Sequence, residues 1–210
     1  MKTLLVIQCT PRNENSNTMP LAEHFITSLQ SSGPSWNIDK LNLWDESFPE
    51  MNGEILTAKY AFFEGQPLND EQAHGWSQVR QHLERFSRAD AVVVVMPIWN
   101  LNVPYVLKHY IDVITQPGLC FSWSQETGYQ SLLQNKTALV LSSSGQGFHP
   151  GSGNENDDFG LNYIERWLVT FMNCHVQKIA SAPTEADESR VLTAKRQAYD
   201  QASLLAKNFK

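Results

Sequence analysis

Residues 92–102 read Val-Val-Val-Val-Met-Pro-Ile-Trp-Asn-Leu-Asn. Side chains of a strand alternate between its two faces. An unbroken apolar run is therefore what a strand covered on both sides looks like. The run stops abruptly at Pro97, Trp99 and two asparagines, and a helical pattern follows in Val103, Val106, Leu107, Tyr110, Ile111 and Ile114. In open parallel sheets, ligands sit beyond the carboxyl ends of such strands, where the chain turns into the next helix. The stretch is thus core over its first half and candidate binding site over its second.

Working outward, Thr3–Gln8 reads as a strand around Leu4-Leu5-Val6-Ile7. A polar loop over 10–17 follows, then a helix with Leu21, Ala22, Phe25, Ile26 and Leu29 on one face. Residues 31–35 break the chain. Trp36–Leu43 forms a second strand whose Asp39, Lys40 and Asn42 suit a sheet edge. Helical patterns cover 53–63 and 71–88, and Ala89–Met96 is the third strand. The following helix takes Asn102 as its N-cap and tolerates Pro104 in its first turn. Thr137–Leu141 is the fourth strand, 161–172 a helix, and Cys174–Ala180 a polar, edge-like fifth strand. Pro183 opens a long last helix.

Strands alternating with helices predict a doubly wound parallel sheet with helices on both faces. The two polar strands fall at the edges if the order is 2-1-3-4-5, the flavodoxin-like arrangement, whose ligand crevice lies between strands 1 and 3. Residues 1–210 are expected to form a single α/β domain, with a flap or hairpin insertion around 118–135, where Gly128 marks a turn.

Composition narrows the function. The 210 residues are 41% hydrophobic and 18% charged, with net charge −6. That is globular, and it offers no basic patch for nucleic acid. The apolar runs are far too short to span a membrane. The start, MKTLLVIQCT, lacks the long apolar region and small-residue cleavage site of a signal peptide. Cys9, Cys120 and Cys174 are odd in number and widely spaced. This fits a reduced cytoplasmic protein and shows no metal-ligand spacing.

Three loops meet at the carboxyl edge of such a sheet. The first, residues 9–18, brings the hydroxyls of Thr10, Ser16 and Thr18 to a helix N-terminus, which attracts an anion. The plain alternative is a polar turn with Ser16 or Asn17 as N-cap. Neither GxxxxGK[ST] nor GxGxxG is present, so nucleotide and dinucleotide loops are excluded there. The second loop, 97–102, offers the flat face of Trp99 between amide-bearing Asn100 and Asn102; a core tryptophan flanked by capping asparagines is the alternative. The third, residues 142–149, offers small residues that let backbone N–H groups approach a ligand; an ordinary glycine turn is the alternative. An anion site, an aromatic shelf and a donor loop together describe a phosphorylated planar cofactor, and FMN fits best.

Residues 96–103, with Leu107-Lys108 and Tyr110-Ile111-Asp112 after them, resemble the FMN-dependent NADH-azoreductases, as do Gly118-Leu119-Cys120-Phe121, Ala138 to Ser143, and Pro49, Gly53 and Glu54. These are dimeric flavodoxin-like reductases of quinones and azo dyes. The resemblance implies FMN phosphate held by Thr10, Ser16, Asn17 and Thr18. It places the ring against Pro97, Ile98, Trp99, Asn100 and Leu101, with its pyrimidine edge at Ser143, Ser144 and Gly145. It also implies a homodimer in which Phe121 of the partner subunit covers the substrate side, where Trp99 and Phe171 are further candidates. The chain departs from the pattern in having Cys9 for Ser, Trp99 for Tyr, Cys120 for Thr and Ser122 for Arg. Its Ser143-Ser144-Gly145-Gln146 replaces Ser-Arg-Gly-Gly.

The expected function is therefore an FMN-dependent NAD(P)H oxidoreductase, in which NADH or NADPH delivers a hydride and a quinone or azo compound takes it in ping-pong fashion. No side-chain nucleophile is called for; the second proton is expected from solvent, with His149 the alternative donor. Two rivals remain: a quinone reductase using FAD, and a noncatalytic electron-transfer or signalling module of the same fold. A phosphoacceptor module needs acidic residues where Cys9, Thr10 and Met96 stand.

Overall fold

A computed structural model describes residues 1–33 and 35–209. Five parallel strands form the central sheet: β1 (Lys2–Gln8), β2 (Trp36–Asn42), β3 (Ala91–Pro97), β6 (Lys136–Ser143) and β7 (Cys174–Ser181). Their spatial order is β2-β1-β3-β6-β7. Setting aside a small hairpin, β4 (Phe121–Ser124) with β5 (Gly128–Ser131), this is the expected 2-1-3-4-5 order with the two polar strands at the edges.

The valine run lies in the middle strand of the five and reads as its pattern predicts. Val92 and Val94 join one core, with Leu5, Ile7, Ala138 and Val140 from the neighbouring strands. It is covered by α3 (Asp70–Arg88), α4 (Tyr105–Ile114) and α5 (Phe159–Thr170). Val93 and Val95 join the opposite core, with Leu4, Val6, Leu139 and Leu141. That face is covered by α1 (Met19–Ser32) and α6 (Glu188–Ala206), whose Ala198, Ala202 and Ala206 let it lie close. Each buried Val or Leu contributes roughly 1.5–3 kcal/mol.

Local signals set several element ends. Asn52 opens α2 (Gly53–Phe63) by accepting from the N–H groups of Glu54 and Ile55. Asn69 and Gln72 form a reciprocal capping box at the start of α3. The end of α3 is held from outside: Lys136 Nζ, buried at the head of β6, donates to the carbonyls of Phe86, Ser87 and Ala89 at 2.9–3.0 Å. Arg85 ties edge strand β2 to α3, bonding both carboxylate oxygens of Asp39 and also Glu46.

Three local readings are corrected. Asn102 does not cap α4. Its backbone N–H and carbonyl pair with Trp99 in a tight turn, and Pro104 holds the N-cap position instead. The last helix starts at Glu188, not Pro183, because the N–H groups of Thr184 and Glu185 are drawn to the carbonyls of Ser144 and Gly145. Helix α5 begins two residues early, at Phe159, with the Asp158 side chain accepting from Leu161 N–H. The expected hairpin is present: Ser124 accepts from the N–H of Thr127 within its turn, and Gly128, at φ +64, closes the turn opposite Ser124.

Candidate functional site

The three loops converge where the chain crosses to opposite faces of the sheet, and backbone bonds lock them together. Cys9 N–H donates to Val95 O at 2.8 Å, joining the first loop to β3. Ile98 N–H donates to Ser143 O, also at 2.8 Å, joining the second loop to the third. Thr18 Oγ1 and Ser143 Oγ then share a 2.6 Å hydrogen bond from the first loop to the third.

In the first loop Thr10, Ser16 and Thr18 are buried and Asn17 is exposed. Ser16 Oγ accepts from the N–H groups of Thr18 and Met19, so it caps α1 although Thr18 occupies the N-cap position. Gln8 Nε2 steadies the loop by donating to Asn13 Oδ1 and Thr10 O. The result is a set of hydroxyl groups gathered at a positive helix end, which suits a phosphate.

The second loop is strained. Asn100 and Leu101 stand at φ +50 and +65 between the reciprocally bonded Trp99 and Asn102. This is the left-handed region, costly for leucine, and such strain concentrates at functional sites. Pro97, Ile98 and Trp99 are half-buried, while Asn100 and Leu101 are exposed. The turn is pressed against α5 at Gly160, where a Cβ would stand 2.6 Å from Ile98 Cδ1 and 3.3 Å from the Asn102 carbonyl carbon. Beside Trp99 runs an open groove of about 430 Å³ bordered by Asn102, Val103, Tyr105, Lys108 and Tyr163.

The fold adds a fourth loop, which the sequence did not single out. Trp44, just past β2, sets its ring 6.1 Å from Trp99 and edge-on to Tyr105 at 5.4 Å. Its Nε1 is buried without an acceptor among the described residues. An aromatic residue immediately beyond a strand's carboxyl end was the available signal, since every such loop borders the crevice.

In the third loop Ser142, Ser143 and Ser144 are buried, and Ser144 Oγ donates to Gln146 O at 2.6 Å. His149 is exposed, its Nδ1 3.0 Å from Pro150 O. Phe121 and Phe171 pack together at 4.9 Å, with Tyr129 beside both. They lie at the other edge of the sheet. Phe171 stands just before β7, and Ser131 of the hairpin donates to its carbonyl. The length of β3 separates them from Trp99, on the order of 20 Å. One chain therefore gathers the first three groups of candidates but does not bring Phe121 or Phe171 to Trp99.

Burial pushes the Cys9 thiol well above its ordinary value, so it is a neutral thiol and not a nucleophile. Cys120 and Cys174 are likewise raised by burial, to about 11 and about 12. Among the described residues no three His, Cys, Asp or Glu side chains converge as a metal site. The donor set is one of hydroxyls, backbone amides and a flat indole. It fits a phosphate tail and a planar ring, and so fits FMN.

Residues 2–202 match the family described as having a flavodoxin-like fold. An FMN-dependent NADH:quinone oxidoreductase of Desulfotalea psychrophila is 36% identical over 209 residues, covering 98% of each chain. An FMN-dependent NADH-azoreductase of Bacillus anthracis, solved in complex with FMN, superposes with a TM-score of 0.86 at 25% identity, covering 98% of this chain and all of that one. Another azoreductase from Bacillus anthracis superposes at 0.89 over the full length of both chains, with 22% identity.

Proposed function

This chain belongs to the flavodoxin-like family of FMN-dependent NADH:quinone oxidoreductases, and from that membership we propose that it binds FMN and uses NADH to reduce quinone or azo acceptors. One observation carries the reading. A hydroxyl-lined helix N-terminus, a strained indole shelf and a serine loop are bonded to one another at the crossover between β1 and β3.

When bound, FMN supplies the two-electron hydride chemistry. Thr10, Ser16, Asn17, Thr18 and the N-terminus of α1 would hold its phosphate. Pro97, Ile98, Trp99, Asn100 and Leu101 would flank the ring. Ser143, Ser144 and Gly145 would meet the pyrimidine edge, where backbone N–H groups of the loop would stabilise negative charge. The second proton would come from solvent, with exposed His149 the alternative donor.

The reading extends to a single domain and a homodimer. Phe121 and Phe171 lie toward the opposite ends of the strands from Trp99, and a second copy supplies the means of bringing Phe121 over a ring held there. Tyr60, Tyr105, Trp123, Tyr129 and Leu132 are each more than half exposed. A groove of about 460 Å³ between α2, α4 and α5, bordered by Met51, Leu56, Ile111 and Phe171, gives such aromatics a place to dock. Three buried thiols without a disulfide support a cytoplasmic location. No helix among the described residues is long and apolar enough to cross a membrane.

The test is to load the protein with FMN, add NADH without oxygen and follow the visible spectrum, then add a quinone. A yellow protein bleached by NADH and re-oxidised by quinone is expected. A colourless protein that ignores FMN overturns the reading, and a sedimentation monomer with full turnover overturns the dimer.

A further inference from the structure

The serine loop is anchored by the segment that follows β7. Thr184 donates to Ser144 O from its N–H at 2.9 Å and from its hydroxyl at 3.0 Å, and Glu185 N–H donates to Gly145 O at 3.1 Å. The Glu185 side chain then folds back along Gly145. A Cβ on Gly145 would stand 3.1 Å from both Cδ and Oε2 of Glu185. A side chain at 145 would press on this carboxylate, which would have to give by a few tenths of an ångström.

That carboxylate is exposed, and no salt bridge among the described residues engages it. The loop has no cation to offset it: residues 142–148 contain neither Lys nor Arg, and Ser144 stands where the azoreductase pattern has arginine. The Ser144 side chain is spent on Gln146 O. After β7 the chain continues Glu185, Asp187, Glu188 before its first cation, Arg190.

We propose that Glu185, held on Gly145, sets the redox balance of the site by placing a negative charge at the edge where reduction of FMN puts one. The proposal rests on the FMN reading above and deepens it. Like charges close together raise the energy of the reduced state, so the site holds oxidised FMN more tightly than reduced FMN. With partial solvent screening of an exposed carboxylate, the preference is roughly three- to tenfold. By linkage this ratio is a shift of the two-electron midpoint potential, with about 30 mV for each factor of ten. The bound cofactor becomes a stronger reductant, suited to acceptors that are hard to reduce, such as azo compounds.

The experiment is a potentiometric titration of the FMN-loaded protein and its Glu185→Gln, Glu185→Lys and Glu185→Asp variants, at low and high salt. Glutamine should raise the midpoint by about 15–30 mV. Lysine should raise it further, and aspartate should restore most of the wild-type value. The differences should shrink in high salt, while the melting temperature stays put because the backbone bonds are intact. FMN bound by all four proteins at one common potential would overturn the proposal and leave the FMN reading standing. Failure of the wild type to bind FMN would overturn the FMN reading first.

Discussion

Thr18 Oγ1 and Ser143 Oγ share a 2.6 Å hydrogen bond although 125 positions separate them, and both residues are buried. One stands at the N-cap of α1, the other at the end of β6, with β3 between their strands. The bond spans the crossover and ties the first loop to the third.

Thr18→Val or Ser143→Ala should each leave the other hydroxyl buried without its partner, a cost of about 1–3 kcal/mol. Each variant should weaken FMN binding at least several-fold. The double variant should be less destabilised than the sum, because it removes both polar groups. Urea denaturation and fluorescence titration with FMN measure the two effects. Strict additivity would mean that the pair does not act as a unit.

Lys136→Met should destabilise the protein by about 2–3 kcal/mol, since three carbonyls at the end of α3 lose a charged donor. Burial lowers the Lys136 pKa. FMN affinity should be unchanged, because this end of the sheet is opposite the site. Urea midpoints with an unaltered m-value are the check.

Leu101→Gly should stabilise the fold by up to about 1 kcal/mol. Leu101 sits at φ +65 after Asn100 at φ +50, and Asn-Gly is the favoured pair for a two-residue turn with both central φ positive. FMN should bind more weakly, since the exposed leucine is part of the proposed ring contact. A rise in melting temperature without flavin, together with a fall in affinity, would show that the strain serves binding.

His82 is buried against Phe48, with ring centroids 4.6 Å apart. Desolvation is the largest influence and lowers its pKa below 6.5; a hydrogen bond to the Ser47 backbone and the charge of Glu46 oppose the shift, and Arg85 adds to it. The unfolded chain then binds the proton more readily than the folded one. This stability is complete above the unfolded pKa and is lost as pH falls from about 6.5 through the folded value. Melting temperatures at pH 8 and pH 5.5 should differ more for the wild type than for His82→Gln. An equal drop in both proteins would remove His82 as the cause.

Arg85 bonds Asp39 with two nitrogens and Glu46 with a third, but all three side chains are about one-third exposed. A double-mutant cycle between Arg85→Ala and Asp39→Ala should therefore give about 0.5–1.5 kcal/mol of coupling, above a typical surface pair because the contact is bidentate. Coupling near zero would mean that water screens the pair completely.

The long-range features escaped local reading for identifiable reasons. The start of α6 depends on Thr184 and Glu185 bonding to Ser144 and Gly145, about forty residues earlier in the chain. The role of Lys136 depends on three carbonyls nearly fifty residues away. Trp44 joins Trp99 only because β2 and β3 both end at the same edge of the sheet. No periodicity in the sequence carries such pairings.

The amino-acid sequence by itself determined the sheet order and the crevice it creates. Strand polarity decides which strands can stand at an edge, and the all-apolar run at 92–95 can only be central. It also marked the three loops, because turn residues and hydroxyls are local signals. Tertiary structure alone decided which of those groups meet: the Thr18–Ser143 bond, the Glu185 carboxylate laid on Gly145, and the placement of Phe121 toward the opposite strand ends from Trp99. Those contacts are set by how strands register and helices pack, and that energy is shared among residues too far apart in the chain for any local pattern to encode.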